Sequence, residues 1–206
     1  MGKYIGPVCR LCRREGVKLL LKGDRCLTGK CALSRKKKAP GMSKGKKGKL
    51  SYYGMQLREK QKVKRFYALS ESHFKKYYLR ATSTEGNTGN ILFQLLERRM
   101  DNVVYRLGLA VSRRQARFLI SHGHFTLNDR KVNISSIIVR KGDIIKVGEK
   151  GKNFVVFQDN VKKEVSVPTW LEKTDDFSGK VMELPGRENV NDIPIKEQMI
   201  IELYSK

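Results

Sequence analysis

Residues 112–132 read SRRQARFLISHGHFTLNDRKV and carry the most structural information in the chain. Ser112, followed three positions later by Gln115, fits a capping box, which marks the start of a helix. One face of this helix is apolar and carries Ala116, Leu119 and Ile120. The neighbouring face is basic near the N-terminus and carries Arg113, Arg114 and Arg117. Because a helix N-terminus also has positive potential, this end favours phosphate, and Gly123 predicts the other end.

Short strands are predicted after this helix. Phe125–Leu127 and Arg130–Val132 are joined by Asn128-Asp129, which suits a two-residue hairpin because both residue types tolerate positive φ angles. Ile144–Val147 and Phe154–Phe157 predict two further strands. The predicted architecture of this part is a helix pair that leads into a small antiparallel sheet.

Upstream of this segment, apolar residues recur with the period of a helix from Ser51 onward. One helical stripe carries Phe74, Tyr77, Tyr78 and Ala81. These aromatic residues are predicted to lie in a core rather than to stack on bases. Residues 88–99 predict a buried helix, and a short helix over Asn102–Leu107 is predicted to end at Gly108.

All four cysteines lie near the N-terminus, at Cys9, Cys12, Cys26 and Cys31. Their spacing, C-x2-C-x13-C-x4-C, is close to that of structural zinc sites, and the many neighbouring cations favour thiolates. Two disulfides are disfavoured in an intracellular protein, and this segment has few apolar residues against which free thiols would be buried. A metal site is therefore predicted, with zinc preferred over an iron–sulfur cluster, which also takes four thiolates.

The chain is strongly basic, with 44 Lys and Arg against 20 Asp and Glu, a net charge of +24 and a pI near 10.1. The first 157 residues are basic throughout, whereas residues 158–206 carry a slight excess of acidic side chains. No apolar run is long enough for a membrane span, and the N-terminus lacks the apolar core of a secretory signal. These features favour a soluble nucleic-acid binder over a secreted protein, a membrane protein or an acidic-cleft hydrolase.

The most basic segment, residues 35–49, has almost nothing to bury and is predicted to be disordered in the free protein. Such an arm is expected to become ordered against phosphates. A solvated linker or a localisation signal are the alternatives. The acidic C-terminal part is expected to pack on the basic body or to face away from the nucleic acid.

Several segments resemble the ribosomal protein S4 family of the small subunit, in its bacterial and organellar type: residues 9–31, 53–62, 97–108, 112–123, 168–172 and 201–206. The four cysteines match the metal-binding branch of that family. The sequence departs from the family at Asn128-Asp129, where members typically have Asn-Gly, and in the arm at 36–49.

The resemblance implies a structural constituent of the small ribosomal subunit that binds small-subunit ribosomal RNA first and nucleates assembly. It also implies contacts with ribosomal protein S5, with other small-subunit proteins and with mRNA near its entry site, together with a contribution to translational accuracy. Some members also repress translation of their own message. The implied location is the cytoplasmic ribosome, with a plastid ribosome as the alternative.

The fold implied is α+β, with a mainly helical first domain that carries an N-terminal metal knuckle. A small α/β RNA-binding domain with an antiparallel sheet is inserted into it. The implied boundaries are residues 1–49 for the knuckle and basic arm, 50–99 for the helical domain, 100–158 for the RNA-binding module and 159–206 for a C-terminal segment that packs on the helical domain and completes it.

The expected mechanism is electrostatic capture of RNA followed by readout of its shape. The candidate RNA-binding residues are cations, amides and a few other polar or aromatic side chains: Arg10, Arg13, Arg14, Lys22, Arg25, Lys30, Arg35, Lys36, Lys37, Lys49, Tyr53, Gln56, Arg58, Lys60, Gln61, Lys62, Lys64, Arg65, Arg98, Arg99, Asn102, Arg106, Ser112, Arg113, Arg114, Arg117, His122, His124 and Lys131.

No catalytic constellation competes with this interpretation, and an enzyme is not expected. The histidines are His73, His122 and His124, and the last two have no third metal ligand nearby in sequence. No Walker loop, nucleophile elbow or HExxH motif occurs. The two alternatives are an RNA-modifying enzyme that uses the same RNA-binding module and a zinc-knuckle regulator that binds duplex DNA.

Overall fold

The structure is a computed structural model that describes residues 4–35, 38–41, 49–163, 165–190 and 192–205. It forms two compact units, Met1–Leu92 with Asn191–Lys206 and Phe93–Val190. No helix within these described ranges is long and apolar enough to cross a membrane. Of the predicted basic arm, residues 36–37 and 42–48 lie outside the described part of the chain.

The helices in chain order are α1 (Cys9–Glu15), α2 (Ala32–Arg35), α3 (Tyr52–Phe66), α4 (Glu71–Thr82), α5 (Thr88–Glu97), α6 (Met100–Arg106), α7 (Arg113–Ser121), α8 (Glu149–Lys152), α9 (Val155–Val161) and α10 (Glu197–Tyr204). Short 3-10 helices span Gly23–Cys26 and Arg187–Asn189. The strands are β1 (Phe125–Leu127), β2 (Arg130–Val132), β3 (Ile144–Val147), β4 (Leu171–Asp175) and β5 (Ser178–Val181).

The first unit is helical, and serine caps begin its two longest helices. The Ser51 hydroxyl accepts a hydrogen bond from the Gly54 N–H at 3.1 Å at the start of α3. The Ser70 hydroxyl accepts one from the His73 N–H at 3.3 Å at the start of α4. Each cap accepts a hydrogen bond from a backbone N–H that has no partner inside the helix. The two serines therefore fix the residues at which α3 and α4 begin.

The core of the first unit lies between α3, α4 and α10. Phe74, Tyr78 and Ala81 are buried along one side of α4, which confirms the predicted stripe, and only Tyr77 is partly exposed. Tyr204 of α10 stacks on Tyr78 with ring centroids 4.5 Å apart. The end of the acidic C-terminal segment therefore packs on the basic helices of this unit.

The second unit contains a five-stranded antiparallel sheet in the order β2-β1-β3-β5-β4. Phe125 pairs with Val132 across the predicted hairpin. Asn128 and Asp129 have φ angles of 49° and 63°, so both residues of the turn adopt the left-handed conformation expected of a two-residue hairpin.

The apolar side of α7 packs with α6 and the sheet in one continuous core. Ala116 and Ile120 are fully buried, and Leu119 is 7% exposed. They lie in the same cluster as Phe125, the residue that begins β1. The predicted amphipathic helix leading into a small sheet is therefore confirmed, as is the α+β fold class.

The strand predicted over Phe154–Phe157 is wrong, because residues Val155–Val161 form α9. Phe154, Val155 and Val156 are all exposed, whereas Phe157 and Asn160 are buried three residues apart. Burial at that spacing suits a helix, and an unbroken apolar run does not distinguish the two structures.

The structure also places the domain boundary differently from the sequence interpretation, which assigned all of residues 159–206 to the helical domain. Residues up to Val190 belong to the second unit. The reason is strand pairing, because β5 bonds to β3 with Ile145 opposite Gly179 and β4 bonds to β5. At the other end, residues 93–99 also lie in the second unit, so the boundary falls inside α5.

Candidate nucleic-acid interface

The start of α7 has the capping box expected from the sequence, with one difference. The Ser112 hydroxyl accepts a hydrogen bond from the Gln115 N–H at 3.2 Å. The Gln115 side chain reaches back as predicted, but it accepts from the N–H of Val111, one residue before the cap, at 2.7 Å. These two hydrogen bonds fix the backbone immediately before α7 and in its first turn.

Arg113, the first residue of α7, points into the fold and is only 4% exposed. Its Nε donates to Asn102 Oδ1 at 2.6 Å, and its guanidinium lies 4.4 Å from the centre of the Tyr105 ring. The same Asn102 donates from Nδ2 to the backbone and side-chain oxygens of Glu97, each at 2.8 Å. A continuous polar chain thus connects the end of α5 to the start of α7.

Glu97 is fully buried and is also held by Arg106. Arg106 Nε and Nη2 donate to the two carboxylate oxygens at 3.0 and 3.1 Å. Two parallel charge-assisted bonds fix both the position and the orientation of the pair. Arg106 and Asn102 therefore serve the interior of the fold, and Arg106 is 9% exposed.

Asp101 forms a second buried centre, between two arginines. Arg99 donates from Nε and Nη2 to the two Asp101 oxygens at 3.0 and 2.7 Å. Arg117 donates from Nε and Nη2 to Asp101 Oδ2 at 3.0 and 2.6 Å. Arg99 is buried, whereas the Arg117 side chain keeps 19% of its surface exposed. Of the two arginines, Arg117 is the one whose side chain reaches solvent.

Two more predicted contacts in this region are partly exposed. Arg98 donates from Nε to the Val139 carbonyl at 2.9 Å, and Arg114 follows Arg113 at the solvent side of α7. Lys131 is exposed on β2, which lies at the edge of the sheet. His122 is exposed at the end of α7, and His124 is partly exposed just before β1.

In the first unit, Glu71 holds two of the predicted cations of α3. Lys60, Lys64 and Tyr204 all donate to its carboxylate. Burial would raise the pKa of Glu71, but these hydrogen bonds outweigh it and lower the pKa to about 2. Burial and the neighbouring Glu71 raise the pKa of Tyr204.

Glu15 of α1 joins α1 to α3 through Arg58 and Arg65, which both donate to its Oε1. The Glu15 side chain is 1% exposed. Burial raises its pKa, while the two arginines act in the opposite direction. Because Oε1 takes both bonds and Oε2 is buried with no partner in the described structure, the two arginines crowd one side of the carboxylate.

Two further predicted contacts on α3 are buried. Gln56 donates to Glu202 of α10 at 2.9 Å. Lys62 donates to Glu59 at 2.6 Å and to the Pro194 carbonyl at 3.0 Å. Both side chains tie α3 to the C-terminal segment.

The remaining predicted contacts lie mostly at the surface. The exposed ones within the described residues are Arg10, Arg14, Lys22, Arg25, Lys30, Arg35, Lys49 and Tyr53, and Arg13 and Gln61 are partly exposed. Arg13 and Arg14 donate to the carbonyls of Lys38 and Pro40 at 2.9 and 2.8 Å, so α1 holds the beginning of the arm. Lys36 and Lys37 lie outside the described part of the chain.

The four cysteines are free thiols, three of them buried and Cys9 partly exposed. The Lys22 N–H donates to Cys26 Sγ at 3.4 Å. Burial raises the pKa of Cys12 and of Cys26. Burial also acts to raise the pKa of Cys31, but hydrogen bonds from Ser34 and Leu33 prevail and lower it. Among the described residues, no three His, Cys, Asp or Glu side chains are arranged to hold a metal ion.

The sequence of this chain is similar to known proteins over its whole length. Residues 3–97 match the family model described as ribosomal protein S4/S9 N-terminal domain, and residues 98–145 match the S4 domain. Small ribosomal subunit protein uS4 of Thermoanaerobacter sp. (strain X514) is 54% identical over 207 residues, and that of Caldicellulosiruptor bescii is 55% identical over 210. Both alignments cover all of each chain.

The chain belongs to the ribosomal protein S4 family. This confirms the family resemblance and the prediction that the chain is not an enzyme. The S4 domain match begins at Arg98, so the polar centres at Glu97 and Asp101 lie at the join between the two matched regions. The sheet of this S4-family protein extends beyond the matched domain, because β4 and β5 follow residue 145.

Sequence reasoning about this S4-family protein missed the carboxylates that organise its cations. Glu15, Glu71 and Asp101 each bind two basic side chains, and Glu97 binds Arg106 and the amide of Asn102. The signal was present at 97–102, where the run ERRMDN places acids among arginines at a helix junction. Charge counting treats every cation as available to phosphate, and only burial shows which cations are already paired.

Proposed function

We propose that the protein is a structural constituent of the small ribosomal subunit that binds small-subunit ribosomal RNA early and helps nucleate assembly. The observation that carries the proposal is full-length identity above 50% to proteins named small ribosomal subunit protein uS4. The net charge of +24 supports it, because a compact fold with this charge is favoured by a polyanionic partner.

In the proposed mechanism, the buried cations shape the protein and the exposed cations bind phosphate. Arg99, Arg106 and Arg113 are held by carboxylates or an amide inside the second unit. They keep the start of α7 rigid, so that the more exposed Arg117 and Lys131 are presented in fixed positions. Preorganised phosphate contacts position RNA by its shape rather than by its base sequence.

The finer partners are part of the same proposal. Contact with ribosomal protein S5, with other small-subunit proteins and with mRNA near its entry site, and the contribution to translational accuracy, are implied by the family resemblance. The location proposed is the ribosome of a bacterial cytoplasm, with a plastid ribosome as the alternative.

Zinc is proposed as the ligand of Cys9, Cys12, Cys26 and Cys31, with an iron–sulfur cluster as the alternative occupant. Four thiols free of disulfides in one short segment are a donor set that suits zinc. The N–H bond from Lys22 to Cys26 Sγ is of the kind that orients metal-bound sulfur. Zinc would supply folding free energy to residues 9–31. Arg58 and Arg65 would still attach this segment to α3 through Glu15.

The test of RNA binding is a footprint of the full chain on small-subunit ribosomal RNA at about 0.15 M salt, with an unrelated structured RNA as competitor. We expect one compact protected region that survives competition. Diffuse protection that the competitor removes would show only general affinity for polyanions and would contradict specific assembly binding.

The footprint also separates the alternatives. Preference for duplex DNA over structured RNA would favour a zinc-knuckle regulator.

Lys131→Ala is a suitable variant for the footprint because no hydrogen bond or ion pair engages this side chain in the described structure. Lys146→Ala is the matched control, since Lys146 is also a strand lysine but is already paired with Asp129.

A further inference from the structure

Four aromatic rings form a continuous row on the second unit where α7, β1 and α9 meet. Phe118 and His122 have ring centroids 4.3 Å apart, His122 and His124 are 6.3 Å apart, and His124 lies 5.1 Å from Phe154. The two histidine rings are within 25° of parallel. These four residues are called the aromatic row below.

The two phenylalanines at the ends of the aromatic row are half exposed rather than buried in the core. Phe118 is 51% exposed and Phe154 is 48% exposed. Beneath them, Phe125 and Phe157 are fully buried, and Phe157 contacts the ring of His124 edge-on at 6.3 Å. The row therefore rests on a rigid apolar floor while its outer side faces solvent.

A cation lies directly beside the row. A Cβ atom built on Gly123 would lie 2.6 Å from Lys131 Cε and 3.3 Å from Lys131 Nζ, so the missing side chain between the two histidines makes room for this lysine. Gly123 has a φ of 71°, which also favours glycine. Within the described ranges no hydrogen bond or ion pair engages the Lys131 side chain, which is exposed, so its ammonium is available to an outside anion.

The His124 ring of the row is suited to stacking in its neutral form. Burial lowers the pKa of His124, and His122 and Lys131 lower it further. Glu149, the acid of α8, is paired with Lys152 at 2.7 Å. The groups around the row therefore favour an anionic partner with flat rings over an apolar or cationic one.

We propose that Phe118, His122, His124 and Phe154 form a platform on which unpaired bases of RNA stack, while Lys131 binds an adjoining phosphate. This rests on the proposed RNA binding and extends it, because phosphate contacts alone do not distinguish paired from unpaired strands. Aromatic side chains that stack on splayed bases are the usual way in which proteins bind single-stranded RNA.

The test compares two probes that carry equal numbers of phosphates: a short oligoadenylate RNA and an abasic oligonucleotide of the same length. We expect the full chain to bind oligoadenylate about tenfold more tightly than the abasic strand. Phe118→Ala with Phe154→Ala should abolish this preference and leave affinity for the abasic strand unchanged. Phe118→Tyr should retain the preference.

Leu79→Ala is the matched control, because Leu79 is 54% exposed on α4 and its loss removes similar apolar surface elsewhere. It should leave the preference unchanged. Circular dichroism melting establishes that each variant is folded, which is expected since the substituted phenylalanines are half exposed.

The other outcomes contradict the proposed stacking platform, and they distinguish its failure from failure of the proposed RNA binding. Equal binding of both probes by the unmodified protein, with a specific ribosomal RNA footprint intact, removes the platform and keeps RNA binding. Absence of that footprint removes the proposed function itself. An unchanged base preference in the double variant, with weaker retention of a neighbouring protein in reconstituted subunits, would show that the row binds protein.

Discussion

Glu97→Gln tests whether the buried carboxylate organises the second unit. Glu97 is fully buried, and the bidentate bond from Arg106 and the bond from Asn102 converge on its carboxylate. The variant keeps the shape of the side chain but removes its charge. Arg106, which is 9% exposed, then loses the carboxylate that accepts two of its hydrogen bonds. Breaking a buried pair from one side costs about 3–5 kcal/mol, a large part of the roughly 5–15 kcal/mol that stabilises a typical domain.

The measurement is the free energy of unfolding of the full chain in a urea titration. Unfolding is monitored with probes placed in the second unit. At about 1–3 kcal/mol per molar urea, the expected loss lowers the midpoint by about 1 M or more. The matched control is Glu97→Gln with Arg106→Met, which removes both charges and should recover part of the stability. A loss below about 1 kcal/mol in the single variant would refute the reasoning, because an uncompensated buried charge costs more.

RNA affinity separates this structural role from direct contact. If Arg106 acts inside the fold, the double variant binds small-subunit ribosomal RNA as well as the unmodified protein does under conditions where both are folded. A loss of affinity in the folded double variant, together with a weaker footprint at one site, would assign Arg106 to the RNA surface. The buried position of Arg106 favours the first result.

The remaining predictions concern the hairpin, Glu71 and the cysteines. Asp129→Gly should raise the free energy of unfolding by about 1 kcal/mol, since relief of the left-handed φ of 63° exceeds the loss of the exposed Lys146 ion pair; an unchanged melting temperature would contradict this. The folded pKa of Glu71 is about 2, so the stability that its ionised carboxylate provides is present above pH 4.5 and is lost as the pH falls towards 2. Because the carboxylate is half exposed, Glu71→Gln should remove only about 1 kcal/mol of this dependence of stability on acid pH. Acid titrations of the two proteins that superimpose would exclude the effect. Chelation should increase hydrogen exchange in residues 9–31 and spare the second unit, and loss of protection throughout would mean that the cysteine segment supports the whole fold.

Local sequence patterns were sufficient to predict those helices and turns that neighbouring residues determine. The capping residue Ser112, the turn at Asn128-Asp129 and the apolar side of α7 all follow from neighbouring residues. The family motifs then led from these elements to the S4 family. Only α9 was assigned to the wrong structure, because its apolar run suits a strand or a helix until burial separates Phe157 from Val155.

The sequence by itself determined the charge of the protein, its family and most of its local structure, since these depend on composition and on residues close together in the chain. Tertiary structure alone decided which cations are paired with buried carboxylates. Glu97 meets Arg106 across a turn of the chain, and burial makes this pair part of the fold. The pairing of β3 with β5 likewise assigns residues up to 190 to the second unit. Such contacts are set by packing in three dimensions, and charge counting along the chain carries no information about them.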